Sequence, residues 1–268
     1  MDTNLESLLD DIKSNIEKRT ENTNTKDGAG RDLRNNSVTK SNALSRAYYR
    51  FGLVEKRCME ALISKLHPLR NDNFQEIELS ATDYAKAFSV SDKTAYRDLS
   101  SAVYGLVRRV ITTEEYDNKR KSKVEFTLMS KAKYIEDEGR ILCIFNPLIV
   151  PHLIGLRERF SSYPLKIAVS FSSSYTWRFY ELLVSWAQPK KKTGGLFVGW
   201  FTAEVTELRK MLGVPESYRW DNFQKRVLNK AQNELSEKAN IHLNITRIKT
   251  SRKITHLKIE FIENKQKK

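Results

Sequence analysis

The chain has 268 residues, 40% of them hydrophobic and 10% aromatic, enough for one large or two ordinary domains, each with its own core. Its charge is one-sided, 47 Lys and Arg against 33 Asp and Glu (net +14), which points to a polyanionic partner such as nucleic acid. No apolar run reaches the roughly 18 residues of a membrane span, and the polar, acidic start Met1-Asp2-Thr3-Asn4 is unlike a signal peptide, so a cytoplasmic protein without membrane contact is expected.

In chain order, residues 1–37 begin acidic and turn Asn/Thr/Gly-rich, the composition of a flexible arm, although Leu5, Leu8, Leu9, Ile12 and Ile16 have helical spacing. From Val38 the pattern is globular. Residues 44–51 and 53–66 read as two helices, the second ended by His67-Pro68. A strand at 76–80 and a short helix at 83–88 follow. Ser91-Asp92 then caps a longer helix reaching about Val107. Three strand-like runs, 109–116, 123–134 and 140–145, are separated by turn-forming stretches at 117–121 and 136–139. The second half repeats the order: an aromatic-rich helix at 174–187, a strand at 196–201, a helix capped by Thr202 and ending before Gly213, a long helix at 218–238, and a hairpin formed by 241–248 and 253–262. Cys58 and Cys143 stand outside any Cys-x-x-Cys pair among apolar neighbours and read as reduced core thiols.

Both halves carry one local pattern. Asp83-Tyr84-Ala85-Lys86-Ala87-Phe88-Ser89-Val90 matches Glu207-Leu208-Arg209-Lys210-Met211-Leu212-Gly213-Val214 in character, and a long helix and hairpin follow each copy. Helix-turn-helix followed by a hairpin is the winged-helix plan. The expected fold class is therefore α+β, two tandem winged-helix domains related by a pseudo-two-fold internal repeat. Their expected limits are 38–150 and 151–263, between the arm at 1–37 and a basic tail at 264–268.

In the helix at 218–238, Phe223, Val227, Leu228, Ala231 and Leu235 share one face at a 3.6-residue period and should be buried. The opposite face collects Asn222, Lys225, Arg226, Asn229 and Asn233, with Arg219 at the N-terminal end. Arg and Lys can donate to guanine O6/N7 and Asn can pair with adenine, so Arg219, Asn222, Lys225, Arg226 and Asn229 are the candidate base readers. A polar stripe of this kind is also what an ordinary solvated face looks like; its lack of acidic residues favours DNA. The helix at 91–107 shows Lys93, Thr94, Arg97, Ser101, Tyr104 and Arg108 outward; Lys93, Thr94 and Arg97 are candidate phosphate contacts. The basic runs Lys119-Arg120-Lys121, Lys190-Lys191-Lys192 and Lys249…Arg252-Lys253 fall at turns, where a wing would reach a phosphate backbone.

His67, His152, His242 and His256 have no metal-ligand spacing, and P-loop, Gly-x-Gly-x-x-Gly and Gly-x-Ser-x-Gly motifs are absent. No catalytic residue, metal or cofactor is expected. His152, in an apolar segment, reads as structural.

The segment Phe145-Asn146-Pro147-Leu148-Ile149-Val150-Pro151-His152-Leu153-Ile154-Gly155-Leu156-Arg157-Glu158-Arg159-Phe160 resembles the junction between the two domains of iteron-plasmid replication initiators. Ser41-Asn42-Ala43-Leu44 with Glu55-Lys56-Arg57, Thr176-Trp177-Arg178-Phe179-Tyr180-Glu181, and Ser217-Tyr218 with Phe223-Gln224-Lys225-Arg226 are similar to further parts of that family. The resemblance spans about 38–263. It implies two winged helices, monomers that bind direct origin repeats and help open the duplex, and dimers that bind an inverted repeat at the initiator's own promoter. It also implies host replication factors as partners, and base-reading positions at Arg219, Lys225 and Arg226. Where the family is Arg-rich this chain has Gln224-Lys225, and Lys lacks the planar fork of Arg, so a different base sequence is expected. A winged-helix repressor without initiator activity, an origin-nicking enzyme and an RNA-binding protein are the alternative readings.

Overall fold

In the computed structural model of the chain, residues 32–66, 76–117, 120–193, 195 and 197–264 are described. The helical spacing of Leu5 to Ile16, Lys119 and nearly all of the basic tail lie outside them. The expected arm does not extend to residue 37: the Asp32 side chain caps a 3-10 turn, Leu33–Asn35, and Leu33 is buried, so the chain enters the core before Val38.

Strand β1 (Ser37–Ser41) leads into α1 (Asn42–Arg46), whose first turn is capped by Ser41 Oγ accepting from Leu44 N. The helix expected over 44–51 stops at Arg46. Beyond it, Tyr48 exchanges two backbone hydrogen bonds with Thr112 (2.8 and 2.9 Å), which holds the chain extended. Then come α2 (Leu53–Ser64), β2 (Ile77–Ser80), α3 (Ala81–Phe88) and α4 (Asp92–Leu106). Ser80 and Ser91 cap α3 and α4 through side-chain oxygens, each accepting an otherwise unpaired backbone N–H. The turn between these helices places Ser89 in the left-handed region (φ 52°).

Four strands follow where three were expected: β3 (Val110–Asp117), β4 (Arg120–Thr127), β5 (Met129–Ile135) and β6 (Arg140–Phe145). The run expected over 123–134 breaks at the buried Leu128. β3 and β4 form a separate two-stranded ribbon, while β5 and β6 join β2 in a three-stranded sheet of order β2-β6-β5.

Beyond a 3-10 turn at Val150–His152 lie β7 (Phe160–Pro164), α5 (Leu165–Ala168) and α6 (Ser174–Trp186). His152 is held by Ser41 Oγ (2.9 Å) and stacks on Phe126, a structural role. β8 (Val198–Glu204) then runs three residues past its expected end. Thr202 and Ala203 pair with Lys258 and Leu257, so Glu204, not Thr202, precedes α7 (Val205–Met211). The long helix is continuous from α8 (Trp220–Phe223) through a π-helical segment, Gln224–Asn229, into α9 (Lys230–Ala239). The hairpin β9 (Ile241–Thr250) and β10 (Lys253–Glu263) completes a second sheet of order β8-β10-β9.

Each half is thus helix, strand, helix, turn, long helix and hairpin, with the hairpin's second strand central in a three-stranded sheet. The left-handed Ser89 has its counterpart in Gly213 (φ 66°), as the matched octapeptides require. The β3–β4 ribbon is an insertion in the first module only. β1 pairs antiparallel with β7, Ser37 opposite Pro164 and Ser41 opposite Phe160, so a strand from the start of the fold is completed by one beyond the expected boundary at 150. The buried apolar side chains of both halves form one continuous core.

A buried ionic cluster crosses the same seam. Lys40 (β1), Lys56 and Glu60 (α2), and Arg178 and Glu181 (α6) are each at most 3% exposed. Lys56 Nζ lies 2.6 Å from Glu60 Oε1 and 2.8 Å from Glu181 Oε1, and Lys40 Nζ bonds both carboxylates. Arg178 donates to Glu181 Oε2 (2.6 Å), Tyr49 Oη (2.6 Å) and the Ala47 and Met211 carbonyls (2.9 and 2.8 Å). Tyr163 Oη lies 3.0 Å from Glu60 Oε2 and 2.9 Å from Glu181 Oε1, with one proton to share between them, and accepts from Trp177 Nε1. Burial would raise the Glu181 carboxyl, but Lys40, Lys56 and Arg178 outweigh it and hold the group well below the usual carboxylate range.

Candidate nucleic-acid interface

The long helix of the second module buries the face expected of it: Phe223, Val227, Leu228, Ala231 and Leu235 are at most 4% exposed. Of the opposite face, Lys225, Arg226 and Asn229 are exposed and Asn222 is half-buried, and Arg219 is exposed at the N-cap of the same helix. An exposed acid, Asp221, also sits in the first turn. No carboxylate pairs with Arg219, Lys225 or Arg226 among the described residues.

The start of this helix is fixed from two sides. Arg209 on α7 donates to the Pro215 carbonyl (3.3 Å) and to that of Tyr218, and its guanidinium lies 5.3 Å from the Phe223 ring, tying the intervening turn to α7. The Arg226 guanidinium lies 5.7 Å from the Tyr218 ring, and Tyr218 meets Tyr175 of α6 edge-on at 6.4 Å. Hydrogen bonds from Arg226 and Tyr175 hold the Tyr218 hydroxyl below the ordinary tyrosine range. At the far end Glu234, buried, accepts from Ser172 N (2.9 Å), Ser172 Oγ (2.6 Å) and Lys238 Nζ (2.7 Å), which anchors α9 to the segment before α6.

The β9–β10 hairpin is this module's wing. Lys249, Arg252 and Lys253 are all exposed at its tip, where Ser251 takes a left-handed conformation (φ 56°). Arg247, exposed on β9, places its guanidinium 5.6 Å from the Trp220 ring and links wing to helix. Arg247 is not marked by any spacing in the sequence; it joins this surface because it lies opposite Leu257 on a strand whose exposed residues run consecutively from Thr246. Lys190, Lys191 and Lys192 open the 3-10 turn Lys190–Thr193 between α6 and β8, with Lys192 exposed.

The first module presents a weaker surface. Lys93 and Arg97 are exposed on α4, but Arg97 leans on the buried Asp98 (3.2 Å), and Thr94, half-buried, accepts from Ser91 Oγ (3.0 Å). Arg108 stacks on the exposed Tyr104 at 3.8 Å. The wing tip here is acidic: Glu136, Asp137 and Glu138 are exposed, beside a Gly139 packed against Tyr96 of α4. Phosphate would be repelled at this wing and attracted at the other.

Among the described residues no three His, Cys, Asp or Glu side chains are grouped to hold a metal ion, and no helix is long and apolar enough to cross a membrane.

Comparison with known proteins agrees with this architecture. The crystal structure of the Pi initiator protein in complex with iteron DNA is similar over 87% of this chain and 99% of that one, at 23% identity and a TM-score of 0.67, a likeness of fold. The WH1 domain of the MSBI1.176 replication protein matches 38% of this chain and 77% of that one at 25% identity, with a TM-score of 0.32. The family model for the initiator replication protein WH1 domain matches residues 37–184, and that for the WH2 domain matches 204–261. With both models matched over most of its length and both winged helices in place, the chain belongs to the initiator replication protein family.

Proposed function

We propose that this protein starts replication of a plasmid by binding directly repeated origin sequences (iterons) as a monomer, with the second module reading bases. The observation that carries this reading is the exposed side of the long helix, where no carboxylate pairs with Arg219, Lys225 or Arg226 among the described residues, beside a wing tipped by Lys249, Arg252 and Lys253. The Pi initiator, whose fold this chain shares, is in complex with iteron DNA. On this reading Arg219, Asn222, Lys225, Arg226 and Asn229 enter a major groove, while the wing and Lys190, Lys191 and Lys192 contact phosphates. The helix of the first module lies one helical turn away, about 10–10.5 bp, and contributes phosphate contacts through Lys93, Thr94 and Arg97. A dimer joined through β-strands of the first module represses the initiator's own promoter at an inverted repeat, and host replication factors load the helicase at the opened origin.

The test compares Arg226→Ala with Lys253→Ala on a duplex selected by the wild-type protein and on random duplex. Arg226→Ala should lose preference for the selected duplex by about 10-fold or more. Lys253→Ala should weaken both alike. Equal losses on both duplexes for Arg226→Ala would remove it from base reading. Maintenance of an origin-bearing plasmid in trans separates an initiator from a repressor of the same fold.

A further inference from the structure

Arg50 belongs to the first module's chain, in the extended stretch between α1 and α2, yet it lies against the DNA-reading end of the second. The turn between α7 and α8 passes so close to this stretch that a Cβ on Gly213 would lie 2.5 Å from the Tyr49 carbonyl oxygen and 3.2 Å from Arg50 Cα. The Arg50 side chain is exposed, and no carboxylate pairs with it among the described residues. Its charge acts on both Tyr175 and Tyr218, as does that of Arg226. Arg50 and Arg226 thus both act on Tyr218, next to Arg219 in the chain, and none of the three arginines is in a described ion pair. Such a concentration of like charge is unfavourable in the free protein and is relieved by an incoming polyanion.

We propose that Arg50 is a phosphate-binding residue of the second module's DNA site, supplied across the seam by the first module. It sits beside the helix-turn-helix turn rather than on the helix that enters the groove, so it meets the sugar-phosphate rim and not base edges. It thereby ties the position of the first module's chain to the duplex that the second module reads. This inference rests on the duplex-binding function proposed above.

The test uses the full chain, a duplex selected by the wild-type protein from a random pool, and an unselected duplex of equal length, with affinities measured from 50 to 200 mM KCl. Arg50→Ala keeps the Cβ, so the packing against Gly213 is retained, and thermal unfolding checks this. Loss of one phosphate contact should flatten the log–log salt slope by about 0.9, so the affinity gap to wild type narrows about 3.5-fold between the two salt concentrations. The loss should be equal on both duplexes, and Arg50→Lys, which keeps the charge, should restore the slope. An unchanged slope for Arg50→Ala, or a slope that Arg50→Lys fails to restore, overturns the inference. If Arg226→Ala abolishes selectivity in the same assay, the function stands and only the role of Arg50 is lost. If the wild-type protein selects no duplex, the functional reading itself fails.

Discussion

Replacing Glu181 by Gln tests the buried ionic cluster with almost no change in shape. In the native protein three cations, Lys40, Lys56 and Arg178, face two carboxylates, Glu60 and Glu181, an excess of one positive charge. The variant leaves three cations against one carboxylate, an excess of two, all at most 3% exposed. Removing one partner of a buried pair costs about 3–5 kcal/mol, because the desolvated charge left behind is uncompensated. In a protein of this size that lowers the midpoint of thermal unfolding by roughly 6–20 °C. Urea unfolding followed by circular dichroism at neutral pH should show the loss in midpoint rather than in slope. Lys40→Met combined with Glu181→Gln restores the original excess of one, and should recover at least about 1 kcal/mol of the single variant's loss. The Glu181 pKa lies below its unfolded value, so its contribution is present above the usual carboxylate range and disappears as pH falls through the native value. The difference between wild type and Glu181→Gln should therefore shrink in acid. A loss below about 1 kcal/mol at neutral pH would refute the claim that an uncompensated buried charge governs this site.

Gly213→Ala should destabilise the protein by about 1–3 kcal/mol, since φ is +66° and the new methyl would meet the Tyr49 carbonyl; thermal unfolding measures it. The Glu234 carboxyl, raised by burial but held by Lys238 and Ser172, titrates at about 2, so its contribution is lost between pH 4.5 and about 2. Glu234→Gln should flatten the acid limb of a stability–pH curve in that window. Cys58 and Cys143 are free and buried, and burial pushes the Cys143 thiol up to about 12. A thiol reagent at pH 8 should label neither cysteine in the folded protein and both after unfolding.

Much of this architecture is written locally in the chain. The buried face from Phe223 to Leu235 repeats at the helical period, Ser91 sits where a cap must sit, and the two octapeptides announce the same turn twice. What was not legible depends on partners far along the chain. β1 is built largely from Ser, Thr and Lys, β7 carries two Ser and a Pro, and Lys40 is buried only because its carboxylates come from residues 60 and 181. The end of α1 follows from Thr112 and from Arg178, which captures the Ala47 carbonyl. The strand at Thr202 continues because β10 lies alongside it. In the site, the helix face and wing tip were visible from spacing. Arg50 and Arg247 were not, because each joins the surface from a different element.

The dependence of β1 on later parts of the chain, β7 for its pairing and Glu181 of α6 for the charge of Lys40, has a consequence for biosynthesis. As the polypeptide leaves the ribosome, Lys40, Lys56 and Glu60 emerge long before residue 181, some 120 residues later. At translation rates of about 5–20 residues per second the nascent first half waits roughly 6–24 s with two lysines and a single carboxylate to match them. Closing so long a loop is slow, so β1 and the ionic cluster are completed only as the second half is being made, and slowing translation between these segments should lengthen the nascent chain's exposure to proteases.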